Sequence, residues 1–229
     1  MKNHRYPCGL LVCAIWVISA AASEATYESL PTLKVPNQKE PGITYRLLEK
    51  SHQTIHGVTL RQNSLADVTK RFNALGPSPI AGFTHGKGIC IASAQAGDPT
   101  KLLFIAIPVA DLHGFVLFSS GSKIRPPEKC APATALRKEV ATPSGIRLGM
   151  SRGQIEKVFG KPAQQSAGDL QYQFEILKKF TPKEWFDEFR ARNKSAVAED
   201  LYTVVRSDVQ MEMVNDRLVS YAVSTTDTY

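Results

Sequence analysis

Cysteine, tryptophan and methionine are all scarce in this sequence of 229 residues, at four, two and four copies. So few cysteines exclude a small disulfide-framework fold. No C-x-x-C is present, so the usual spacing of a redox pair or a zinc knuckle is missing. The one long apolar run, Leu10 to Ala22, falls short of the roughly 20 residues needed to span a bilayer, which excludes a multi-span membrane protein. Chemistry-bearing signatures are missing as well: there is no H-E-x-x-H and no G-x-S-x-G. The segment Gly82 to Lys87 is one residue short of a phosphate loop, and Gly88 stands where a magnesium-binding Ser or Thr is required. Ser120-Gly121-Ser122-Lys123 matches S-x-x-K, but no K-T-G accompanies it and Ser207-Asp208 is followed by Val209 rather than Asn. Acidic residues are scattered, with no pair placed for acid–base work. The expectation is a protein that is not an enzyme and takes no cofactor or metal.

What is present suits a folded, exported chain. Apolar residues make up 43% and charged residues 21%, ordinary values for a soluble domain. Lys2 and Arg5 precede the run Leu10 to Ala22, and Ala20 and Ala22 suit a small-residue cleavage site, so residues 1–22 read as a signal peptide. Val12 is too large for the position before a lipidated Cys13, which argues against a lipoprotein. The expected location is periplasmic or secreted, soluble after cleavage. Net charge is +7; without Lys2 and Arg5, 26 basic residues face 21 acidic ones, leaving +5. That excess favours anionic partners mildly and gives no reason to expect nucleic acid. Cys8 and Cys13 leave with the signal, and the remaining pair, Cys90 and Cys130, is expected to form one structural disulfide in an oxidising compartment.

Residues 23–42 contain Pro31, Pro36 and Pro41 among polar residues and read as an extended leader. Beyond it the chain carries an internal repeat at a spacing of 88 residues. Gly57-Val58-Thr59-Leu60, Ser64 to Phe72 and Gly76-Pro77 are answered by Gly145-Ile146-Arg147-Leu148, Ser151 to Phe159 and Gly160-Lys161-Pro162. Ser64 and Ser151 sit at helix N-caps with Asp67 and Gln154 at the capping-box position. Val68, Phe72, Ile155 and Phe159 are the inward positions, and Gly76 and Gly160 are placed as C-caps. After each helix the period changes to two: Gly88 to Ala94, Lys101 to Ile107 and Gly114 to Ser120 in the first copy. In the second, Leu170, Tyr172 and Phe174 alternate with polar residues, as do Val209, Met211 and Met213. A turn at Asn215-Asp216 leads to Val219, Tyr221 and Val223. The expected class is therefore α+β with two tandem units, each a short helical element followed by an antiparallel sheet of about three strands. The first spans 43–125 and the second 142–229, with a linker at 126–141. His52 and His56 are spaced i, i+4 but lack a third ligand, and are expected at the solvated start of the first unit.

Two surfaces are candidates for contact. If the apolar sides of the strands face the helices, Gln171, Gln173, Glu175, Gln210 and Glu212 share the outer face of the second sheet. The other is an insertion opened by the capping box Thr181-Pro182-Lys183-Glu184, with Trp185 and Phe189 beside Arg190, Arg192 and Lys194. Trp185 and Phe189, at i and i+4, suit packing onto the chain's own domain, and the basic residues suit a partner or membrane surface.

The string Gly145 to Pro162 resembles the opening of the SmpA/OmlA-type outer-membrane lipoprotein domain and of the tandem-repeat fold of the secreted β-lactamase-inhibitor protein, over about residues 54 to 226 in all. The resemblance implies a non-catalytic protein-binding module of the cell envelope. The chain lacks a lipidation site and shows no residues matching the inhibitor's contacts. The partner expected is thus another envelope or secreted protein, the alternative being anionic lipid or cell-wall polymer bound through 181–194.

Overall fold

Three long strands with largely alternating polar and apolar residues make the second half of the fold. In the computed structural model, which describes residues 42–80, 86–107, 110–125, 127, 129–179 and 202–228, β10 covers Asp169–Lys179, β11 Tyr202–Val214 and β12 Arg217–Thr228. Leu170, Tyr172 and Phe174 of β10 and Val209, Met211 and Met213 of β11 are buried, as period-two burial requires. Asn215 and Asp216 both have positive φ (51° and 56°), the conformation of the two-residue hairpin turn that matches strand twist. One residue of the expected alternation is corrected. The register shifts between Glu212 and Met213, so Val219 is the extra residue of a bulge and Leu218 takes the buried position beside Tyr221.

The first half is a second meander, β5 (Lys87–Ser93), β6 (Lys101–Ile107) and β7 (Ala110–Phe118). Short strands complete the set: β1 (Ile43–Thr44), β2 (Thr54–Ile55), β3 (Val58–Thr59), β4 (Ser78–Pro79), β8 (Ala131–Ala133) and β9 (Gln164–Gln165). Among the described residues two helices, α1 (Leu65–Phe72) and α2 (Arg152–Phe159), open on the expected capping boxes. Ser64 N–H donates to Asp67 Oδ2 at 2.8 Å, and Ser151 N–H to Gln154 Oε1 at 2.9 Å. Gly160 is the C-cap of α2, whereas α1 ends earlier than expected, on Asn73 in the left-handed region (φ 47°), so Gly76 caps nothing.

The expectation of two separate units, each with its own small sheet, does not hold. The described residues form one ten-stranded mixed sheet, in the order β1-β10-β11-β12-β7-β6-β5-β4, with β8 on β5 and β9 on β10; β2 and β3 make a separate pair. The fold is mostly β. Ser220 to Ser224 of β12 pair antiparallel with Gly114 to Phe118 of β7, so the two meanders satisfy each other's edge hydrogen bonds instead of ending as exposed edges. Gly114 permits that junction, since a Cβ there would lie 2.7 Å from the Val223 carbonyl oxygen. The parallel pairings of β1 with β10 and β8 with β5 make the sheet mixed.

One core lies under one face of the sheet and runs across the junction. Ring centroids follow one another from Phe72 of α1 through Phe104, Phe115 and Tyr221 to Phe159 of α2, at 5.9–6.5 Å per step. Val68 and Ile155, the inward residues of the two helices, are fully buried in it, each contributing about 1.5–3 kcal/mol. The segment before α1 also joins this core. His52 is buried with its ring 4.4 Å from that of Phe159, and His56 packs edge-on to Phe72 at 5.8 Å, so neither lies at a solvated start. A buried relay fixes this segment to β12: Ser207 Oγ to Thr225 Oγ1 (3.0 Å), Thr225 Oγ1 to Gln53 Oε1 (3.1 Å) and Gln53 Nε2 to the Leu48 carbonyl (2.6 Å). Tyr221 OH donates to the His52 carbonyl at 2.9 Å.

The opposite face differs between the two halves. Under β5–β7 it is apolar, with Cys90, Leu103, Ile105, Val116 and Phe118 packed beneath Ile80, Ile124 and Cys130. Residues 119–125, with 127, 129 and 130, cross this face as a strap. At one end Ser119 N–H donates to the Val219 carbonyl at 3.0 Å, and at the other the expected disulfide joins Cys130 to Cys90, with their Cα atoms 4.5 Å apart. Under β10 and β11 the face is polar.

Candidate functional site: the polar outer face

Alternation places Asp169, Gln171, Gln173 and Glu175 of β10 on this face, directly opposite Glu212, Gln210, Asp208 and Arg206 of β11. The five sheet residues expected to share one surface therefore do so, but their surroundings divide them. Arg206 donates from Nε (3.2 Å) and Nη2 (2.9 Å) to Glu175 Oε2. With its amide oxygen turned toward Arg206, Gln173 accepts from the same two nitrogens at 2.9 and 3.1 Å. Both are tied down in a half-buried cluster. Asp208 sits beside them, and burial raises its pKa against the opposing pull of Arg206 and His113. Glu212 is engaged by the strap, accepting from Ser122 Oγ and from the Lys123 N–H at 3.1 Å. Gln171 and Gln210 stand opposite each other, exposed, with side chains that make no hydrogen bond among the described residues.

Beside them a cleft of about 140 Å³ opens between the strap and the sheet, lined by Ile124, Asp169, Gln171, Gln210, Glu212 and Ser220 among others. A neighbouring hollow of about 200 Å³ continues from Asp169 and Gln171 to Gln164 and Gln165 of β9. Both are well below the roughly 300–1,000 Å³ of pockets that enclose a whole small molecule. Lys123 Nζ reaches Asp169 Oδ1 at 3.6 Å across the rim, an exposed pair of little worth.

Arg206 and Asp208 share the parity of Gln210, so extending the alternation by two steps would have placed them on this face. No local pattern announces Ser122, Lys123 and Ile124, which reach the face from about 90 residues away in sequence. The second candidate surface, Trp185, Phe189, Arg190, Arg192 and Lys194, lies outside the described residues, as do the signal peptide and all but the last residue of the leader. Among the described residues no group of three or more His, Cys, Asp or Glu is placed to hold a metal ion, and no helix is long and apolar enough to cross a membrane.

In comparisons with known proteins, the chain matches no family model, no curated protein and no solved structure.

Proposed function

We propose that this chain is an exported, non-catalytic module that binds another protein of the cell envelope or secreted space, using the outer face of β10 and β11 centred on Gln171 and Gln210. The observation that carries the reading is the contrast between the two halves of that face. One half is sealed by a disulfide-tied strap over an apolar cluster, and the other is left open as a flat array of polar side chains on rigid strands. Arg206 holds Gln173 and Glu175 in fixed positions, so that part of the surface is ordered before a partner arrives. Export is supported by the tripartite N-terminus of the sequence and by the Cys90–Cys130 disulfide, a bond that persists in oxidising compartments. The resemblance of Gly145 to Pro162 to envelope-protein domains points the same way.

The competing reading, anionic lipid or wall polymer bound through 181–194, is separated by one comparison. Sedimentation with anionic vesicles and capture of envelope proteins are measured for the wild type, for Arg190→Glu/Arg192→Glu/Lys194→Glu and for Gln171→Arg/Gln210→Arg. The proposal expects capture to survive the first set of substitutions and to fall at least tenfold with the second. Vesicle binding that vanishes with the first set, with no protein captured by any variant, would overturn it.

A further inference from the structure

We infer that the cleft beside the strap is a receptor for one arginine side chain of the partner; this rests on the protein-binding reading and specifies what the surface recognises. Asp169 and Glu212 stand directly opposite each other on adjacent strands, an arrangement that is unfavourable by itself because like charges face across the pair. The chain relieves it incompletely. Glu212 receives Ser122 and the Lys123 backbone, whereas among the described residues Asp169 has only the Ser166 hydroxyl at 3.2 Å and the exposed Lys123 ammonium at 3.6 Å.

A second, independent feature points to a ligand. Ser220 is 1% exposed and lines the same cleft, yet its hydroxyl has no hydrogen-bond partner among the described residues. The hydroxyl is not sealed from solvent but stands at the wall of the cleft, where a donor or acceptor that enters can pair with it. Size and chemistry then select the guest. About 140 Å³ holds one side chain, not a whole small molecule. Ile124 and Ala222 offer apolar contact to an aliphatic stem, while the carboxylates and hydroxyl around the head are acceptors. A guanidinium brings several donors in a rigid plane and can bridge carboxylates on two strands; an ammonium acts as a point charge and gains less from this geometry.

The test is a titration of the disulfide-intact protein with a blocked Gly-Gly-Arg-Gly-Gly peptide up to about 10 mM, the range expected for a single side chain. It is followed by the NMR shifts of the Gln171 and Gln210 side-chain amides and the Ser220 and Ala222 backbone amides. Saturable shifts confined to these groups are expected. The citrulline peptide, which has the same shape without the charge, should bind about tenfold more weakly, as should the arginine peptide to Asp169→Asn, which keeps an acceptor for Ser166. Lys123→Ala, an exposed change that removes the competing ammonium, should tighten binding about two- to fivefold. No saturable shift in the cleft, or equal binding of the citrulline peptide, would overturn the assignment. A partner captured through Gln171 and Gln210 whose binding ignores Asp169→Asn would also overturn it while leaving the protein-binding reading in place.

Discussion

Breaking the Cys90–Cys130 disulfide separates two contributions that the strap makes to the fold. The bond closes a loop with a sequence separation of 40, for which the chain-entropy model gives about 4 kcal/mol of stabilisation. At about 2–4 °C per kcal/mol for a chain of this size, that is a fall in Tm of about 8–16 °C. Cys90 is itself buried against Leu103 and Val116, so Cys90→Ala/Cys130→Ala adds a packing loss that reduction of the wild type does not. The reduced wild type is therefore the cleaner perturbation, and the double variant should fall slightly further. The structure also says where the loss appears first. Residues 119–125 are otherwise held by Ser119 on Val219, by Ser122 and Lys123 on Glu212, by the exposed Lys123–Asp169 pair and by Ile124 on the apolar cluster, all surface or half-buried contacts. The β10–β12 hairpins and the aromatic string lie on the other side of the sheet or beyond the strap. Trypsin should thus cut after Lys123 and Lys129 in the reduced protein well before it cuts within the strands, and amide exchange should speed up in 119–125 while Val209, Met211 and Tyr221 stay protected. Unchanged Tm on reduction, or loss of protection spread evenly through β10–β12, would refute this account of the strap.

Four further outcomes follow from the core, the junction and the polar face. Tyr221→Phe removes the donor to the buried His52 carbonyl and should cost about 1–2 kcal/mol, read as a fall in the urea midpoint with unchanged slope; a neutral result would mean that the contact contributes nothing. Gly114→Ala should destabilise by about 1–3 kcal/mol, because its Cβ meets the Val223 carbonyl oxygen across the β7–β12 pairing, whereas Gly153→Ala, with open space around it in α2, should stabilise by about 0.5–1 kcal/mol in the same unfolding assay. Burial lowers the pKa values of His52, His56 and His113, so the unfolded chain takes up protons first as pH falls below the ordinary 6.5. Their contribution is intact above about 6.5 and is lost on going down through the folded values, so urea midpoints at pH 5.5 should lie below those at pH 7.5. Asp208 works in the opposite direction. Burial raises its pKa, so its ionisation weighs on the folded state at neutral pH, and Asp208→Asn should raise the pH 7.5 midpoint.

The elements themselves were legible wherever local chemistry dictates them. Ser64 and Ser151 announce two helix starts, alternation announces β10 and β11, and the two cysteines beyond residue 22 announce the disulfide. How the elements assemble was not legible in this way. The β12–β7 pairing depends on two segments that are about 105 residues apart and whose polar-apolar pattern is equally compatible with free edges, so the sequence suggested two sheets where one exists. The bulge at Val219 escaped for a related reason: a single extra residue shifts parity without changing composition. His52 looks solvated because histidine and its polar neighbours read as surface, yet its ring lies tilted against Phe159 and its carbonyl is claimed by Tyr221. On the polar face, parity placed Gln171 and Gln210 side by side. Period two carries no information on which of their neighbours would be tied to Arg206 or to a distant strap.

The central claim, that the outer face of β10 and β11 meets a protein partner, is tested most directly by placing a photo-crosslinking amino acid at Gln210 and, as a control, at Leu75, an exposed residue away from that face. Each protein is irradiated in the native host's envelope and secreted fractions. The account predicts one protein crosslinked through position 210 in near-stoichiometric amounts, unaffected by raised salt and missing from the control at 75. Crosslinking to the same protein from both positions, or recovery through 210 of lipid or wall material alone that disappears as salt is raised, would contradict it.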